Sequence, residues 1–153
     1  MNFGNLDVQD IKSAFNKVKA AVLNLTELEQ KVREATSSEA WGASSSLMSE
    51  LAYVAIDRSQ GFNEVLPAIY KRFSQEGRTW RNVYKSLTLI EYLIKNGSEK
   101  VVDYVRAHTY ELKACLNYNY IDEKGKDQGI NIRHRAKLIL DLLQNDDLIR
   151  AER

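Results

Sequence analysis

Along most of this chain, apolar residues return every three or four positions, the period of an α-helix, and strand-like alternation is scarce. Val8, Ile11, Phe15, Val18, Val22 and Leu25 recur at that spacing and draw one stripe along a first helix, with Lys12 and Lys19 on its flank. Thr26-Glu27-Leu28-Glu29 has the form of a capping box and predicts a helix from there to about Thr36. The Ser37, Ser38, Gly42, Ser44, Ser45 stretch interrupts the pattern. Leu47, Leu51, Val54 and Ala55 begin a new face that fades near Arg58.

Asn63 reads as the N-cap of the next helix, because it would place Pro67 within about one turn of the start, and Gly77 reads as its end. Trp80, Val83, Leu87, Ile90 and Ile94 form the clearest stripe and predict a central helix closed by Gly97-Ser98. Val101, Val102 and Val105, then Leu112, Cys115 and Leu116, predict two shorter helices. Asp122 to Gly129 is a polar loop. Ile132, Ala136, Ile139, Leu140 and Leu143 predict a last long helix, and Asp146 reads as the cap of a short tail. Helices joined by short loops predict an all-α fold, a solenoid or irregular bundle.

Composition narrows the function classes. The 153 residues, 44% hydrophobic and 28% charged, fit one soluble domain with a single core. The apolar runs are too short to span a bilayer, and the first residues lack a signal peptide, so the cytosol is the expected compartment. The lone Cys115 falls at core spacing without a partner for a disulfide. A net charge of +1 gives no global attraction to nucleic acid or membrane. Local charge is uneven, however: Lys71, Arg72, Arg78, Arg81 and Lys85 crowd one stretch against Glu76 alone.

No catalytic pattern emerges. His108 and His134 fit neither a zinc site nor a triad, and phosphate-binding glycine motifs are missing. Gly125-Lys126-Asp127-Gln128-Gly129 follows no strand and is not read as a phosphate loop; Ser44-Ser45-Ser46 is read as cap choice. No enzymatic activity, cofactor or metal is expected. Leu138 to Leu143 has core spacing rather than that of a clathrin or adaptor motif. Arg78, Asn82 and Lys85 fall on one helix face opposite the core stripe. That pattern suits either an ordinary solvated face or an anion site. The first stripe likewise suits either a packed helix or an interfacial one whose side chains enter the headgroup boundary at about 1.5–3 kcal/mol each, before the cost of ordering.

Val32-Arg33-Glu34-Ala35-Thr36, Ala40-Trp41-Gly42, Trp80 to Leu87, Tyr92 to Glu99 and Gly125 to Arg133 together resemble the ENTH domain of epsins, in order and spacing, over residues from about 11 to 153. The resemblance implies a right-handed superhelix of about eight α-helices. Residues 1–25 would form an amphipathic N-terminal segment, ordered on lipid binding, and residues 26–153 the core. It implies a phosphoinositide site at Lys19, Arg33, Arg72, Arg78 and Lys85, and a membrane-inserting stripe of Ile11, Phe15, Val18 and Val22. Asn16, Ser38 and Asn82 replace an arginine, an asparagine and a histidine of plasma-membrane epsins. With Trp41-Gly42-Ala43-Ser44 and the Ile149 to Arg153 ending, the chain is more similar to the epsin-related adaptors of the trans-Golgi network and endosomes. That class implies a SNARE of the Vti type as cargo, and clathrin and adaptor complexes recruited through a tail outside these residues. RNA and peptide recognition by related superhelices is disfavoured, and a protein-only interaction module with a permanently packed first helix is the alternative.

Overall fold

The computed structural model describes residues 8, 11–14, 26–56, 60–74 and 79–153. Residues 8 and 11–14 are helical. The first helix beyond them, α1 (Glu27–Ala35), begins where expected: Thr26 is extended, and its hydroxyl accepts the Glu29 N–H at 3.2 Å. The same hydroxyl donates to the Glu29 carboxylate at 3.3 Å, so Thr26 and Glu29 hold each other at the start of the helix. Helix α2 (Ser45–Ile56) starts on Ser44, whose Oγ accepts from the Leu47 N–H, so one serine of the triplet is indeed a cap.

Helix α3 (Gln60–Tyr70) begins earlier than the sequence suggests. Asn63 is not its cap but an exposed interior residue, and Pro67 sits well inside the helix. The proline forgoes its bond to the carbonyl four residues back, which belongs to solvent-facing Asn63, where water can substitute. Gly61 lies so close to α2 that a Cβ there would stand 2.6 Å from the Val54 carbonyl oxygen. The chain after α3 tightens into a 3₁₀ turn, Lys71–Ser74; Gly77, expected to end the helix, and Arg58 lie outside the described residues.

Helix α4 (Trp80–Asn96) is the centre of the fold. It buries Val83, Leu87, Leu89, Ile90, Leu93 and Ile94, and touches α1, α2, α3, the 3₁₀ turn and the helices that follow. Gly97 closes it with φ −91°, not in the left-handed conformation of a helix-ending glycine. Its small size matters because a Cβ would meet the Leu93 carbonyl at 2.6 Å and Val101 at 3.1 Å. Helices α5 (Glu99–Ala107), α6 (Tyr110–Cys115), α7 (Gly129–Leu143) and α8 (Asp146–Glu152) complete the chain. Asn145, not Asp146, caps α8 by accepting from the Leu148 N–H at 2.9 Å; Asp146 pairs with Arg106 instead.

Each helix packs on its near neighbours in sequence, α1 on α2 and α3, α2 on α3 and α4, α6 on α7, α7 on α8, with α4 and α7 sharing the broadest contact. That is the order of a helical solenoid around one continuous core. Among the described residues no β-strand forms; Ile121 and Asp127 make an isolated bridge. In the loop they close, the Asp122 carboxylate accepts from the N–H groups of Lys124 and Lys126 and from Gln128, so those donors serve the loop itself. Within the Leu138 to Leu143 run, Ile139, Leu142 and Leu143 are buried as core spacing requires, whereas Leu138 is exposed, as is Leu116.

Candidate functional site

A helix ends in carbonyls without intrahelical donors and in a partial negative charge, which must be met from elsewhere. At the end of α1 they are met by side chains from two other elements. Arg72, on the 3₁₀ turn, donates through Nε to the Thr36 hydroxyl at 3.1 Å and through Nη2 to the Thr36 carbonyl at 3.3 Å. Asn82, on α4, donates to that carbonyl at 2.7 Å. One turn along α4, the Lys85 ammonium donates to the Ser37 hydroxyl at 3.0 Å and to the Glu39 carbonyl at 3.5 Å. The fully buried Thr36 hydroxyl passes its own proton to the Val32 carbonyl at 2.8 Å.

The face carrying Asn82 and Lys85 is therefore not a solvated one: the two residues are 6% and 7% exposed. Sequence spacing puts them opposite the apolar stripe of α4, but a central helix is covered on more than one side, and here α1 supplies the cover. Arg33, in the last turn of α1, lies near enough to Arg72 to act on its charge. Burial pushes the Arg72 guanidinium below its ordinary pKa, and the positive charge of Arg33 adds to that. Burial likewise lowers the Lys85 ammonium, with Arg81 adding to the effect and Glu39 opposing it. Among the described residues no carboxylate lies within ion-pair distance of Arg72 or Lys85; the Glu39 carboxylate is turned onto Lys12, 3.3 Å away.

The site thus holds two partly desolvated cations, Arg72 and Lys85, neither of them in an ion pair among the described residues. An anion with several oxygens would pair with them through short charge-assisted hydrogen bonds. Of the residues singled out from sequence, Arg72 and Lys85 hold the adjacent residues Thr36 and Ser37, and Arg33 is near enough to Arg72 to act on its charge; Lys19 and Arg78 lie outside the described residues, as do Phe15, Val18 and Val22 of the stripe. Ile11, the described member of that stripe, is 58% exposed, and Val8 beside it 68%. Lys12 adds a contact unforeseen from the sequence, its ammonium standing 4.3 Å over the ring of Trp41. Asn82 was also underrated there, and no local signal reveals it, because its acceptor is 46 residues away.

Among the described residues no group of His, Cys, Asp and Glu could hold a metal ion, and no helix is long and apolar enough to cross a membrane. The described residues form a helical solenoid with cationic side chains gathered on the end of its first full helix. A family model described as the ENTH domain matches residues 25–149, and the chain belongs to that family. An ENTH domain-containing protein of Schizosaccharomyces pombe is 49% identical over 97% of this chain and 31% of its own length. Human clathrin interactor 1 is 43% identical over 97% of this chain and 24% of its own. The chain thus spans about a third or less of these two relatives. The solved ENTH domain of epsin-2 in complex with phosphatidylinositol 4,5-bisphosphate superposes with a TM-score of 0.80 at 34% identity, covering 84% of this chain and 89% of that one.

Proposed function

We propose that this chain is a phosphoinositide-binding adaptor module that works on a membrane surface and performs no catalysis. The observation that carries the reading is that Arg72 and Lys85, partly desolvated and without an ion-pair partner among the described residues, hold adjacent residues after α1, with Arg33 near enough to Arg72 to act on its charge. The epsin-2 relative, solved with phosphatidylinositol 4,5-bisphosphate, supports it. In this reading Lys19 and Arg78 also serve the headgroup, and Ile11, Phe15, Val18 and Val22 are the side chains that enter the headgroup boundary. Exposure of Val8 and Ile11 favours insertion, because a permanently packed stripe would hide them.

The wider setting follows the relatives, one of which is named a clathrin interactor. It is clathrin-coated vesicle traffic at the trans-Golgi network and endosomes, with a SNARE of the Vti type as cargo and clathrin and adaptor complexes recruited from outside these residues. Vesicle co-sedimentation tests the core of the proposal. The chain pellets with phosphoinositide vesicles, the Arg33→Glu and Lys85→Glu variants stay in the supernatant, and rising salt weakens the pelleting. Equal pelleting with neutral lipid would overturn the headgroup site.

One observation favours a second reading, a protein-only interaction module. Lys12 ties the helical residues 11–14 to Glu39 and Trp41, as a packed first helix would be tied. Circular dichroism separates the two: lipid-coupled folding gains helicity on adding vesicles, and a packed helix gains none.

A further inference from the structure

The cation cluster stands against a hydroxyl of its own chain. Ser37 is half-buried in the segment that follows α1, and its Oγ accepts from the Lys85 ammonium at 3.0 Å. The neighbouring residue, Thr36, is the one that Arg72 grips through both hydroxyl and carbonyl. Ser37 therefore points into the place where the cations meet. Residues 38–44 lie outside any helix, and Ser38, Ala40, Trp41 and Gly42 are exposed, so the backbone on one side of the serine is open to an approaching enzyme.

We infer that Ser37 is a phosphorylation site, and that its phosphoserine occupies the cluster from within. The inference rests on the headgroup reading above for its consequence, competition with lipid, but not for its chemistry. A protein kinase with ATP supplies the group. The Ser37 Oγ attacks the γ-phosphorus, the new Oγ–P bond replaces the bond from that phosphorus to the β,γ-bridging oxygen, ADP leaves, and the hydroxyl proton passes to the kinase base.

The product carries close to two negative charges and three strong acceptor oxygens on an atom already in contact with Lys85, with the Arg72 guanidinium on the adjoining residue. Glu39 is the nearby repulsive group, and its carboxylate is occupied by Lys12. A tethered phosphate needs no encounter with a membrane, so it outcompetes a headgroup for the same donors at high effective concentration. The modification acts as an off switch.

The test uses the chain with phosphoserine installed at position 37, its unmodified form, and both forms carrying Lys85→Gln. Two quantities are measured: thermal midpoint without lipid, and co-sedimentation with phosphatidylinositol 4,5-bisphosphate vesicles. Phosphoserine raises the midpoint, the rise disappears with Lys85→Gln, and vesicle affinity drops roughly tenfold or more. An unchanged or lower midpoint with the phosphate in place overturns the inference. So does a raised midpoint with vesicle binding intact. If the unmodified chain fails to pellet at all, the headgroup reading and the off switch fall together, and the Lys85-dependent rise alone decides whether the phosphate takes its seat.

Discussion

Arg72 and Thr36 are joined by two hydrogen bonds, one to the hydroxyl at 3.1 Å and one to the carbonyl at 3.3 Å, across 36 residues of sequence. The threonine hydroxyl both receives the guanidinium and donates to the Val32 carbonyl, so a cation of the site is anchored to the last turn of α1. Replacing Thr36 with the similarly shaped valine removes that relay while leaving the carbonyl. The partly buried Nε–H of Arg72 then lacks its partner, a loss of about 1 kcal/mol that urea denaturation would detect. Vesicle affinity should fall with it, because the guanidinium is no longer held in place. Unaltered stability in Thr36→Val would mean that water reaches Arg72 freely.

The sequence was most informative where local chemistry decides structure. The cap of Thr26 and Glu29 and the stripe of α4 needed nothing beyond neighbouring residues. Asn63 misled because a turn-forming residue four positions from a proline imitates a cap, whereas α3 is already helical at Gln60. Asn82 and Lys85 misled differently. Periodicity gives the side of α4 that they occupy, but their burial depends on α1 ending above them. Arg33, Arg72 and Lys85 were legible as a set through family resemblance; that Arg72 and Lys85 hold the residues after α1 is a fact of packing.

Gly61 offers a direct test of the α2–α3 contact. In Gly61→Ala, the new methyl group would stand 2.6 Å from the Val54 carbonyl oxygen and 3.2 Å from its carbon, both backbone atoms that cannot swing aside. The helices must separate, so the better helix propensity of alanine is outweighed and stability falls by about 1–3 kcal/mol. Chemical denaturation checks this. A stabilised Gly61→Ala would show that the contact relaxes at little cost.

Glu91 makes stability depend on acid. Burial alone would raise its carboxyl pKa, but hydrogen bonds from Lys95 and Arg135 and their charges outweigh burial and hold it below the ordinary value of about 4.5. A carboxylate whose pKa is lowered by folding contributes stability that is fully present above its unfolded pKa and is lost as pH falls through the folded one. Glu91→Gln should therefore cost about 1–3 kcal/mol at pH 7, where it leaves Arg135 and Lys95 facing a neutral amide. The gap between the two proteins should close as pH drops below about 4.5. Thermal melts at several pH values measure it; a constant gap would sink the linkage.

Lys85 should behave in the opposite sense, because function and stability pull against each other there. Its ammonium is buried, and that burial, only partly opposed by Glu39, lowers its pKa on folding, so carrying the charge at neutral pH disfavours the folded state. Two hydrogen bonds, to Ser37 and Glu39, offset only part of that. Methionine keeps the long apolar stem that packs against α1 and removes the charge. Lys85→Met should accordingly melt at a higher temperature than the parent at pH 7, with the difference shrinking as pH rises through the lowered pKa of the amine. The same variant should lose phosphoinositide binding. Stabilisation together with lost binding is the signature of a charge kept for a ligand, since a lysine retained for structure would destabilise when removed.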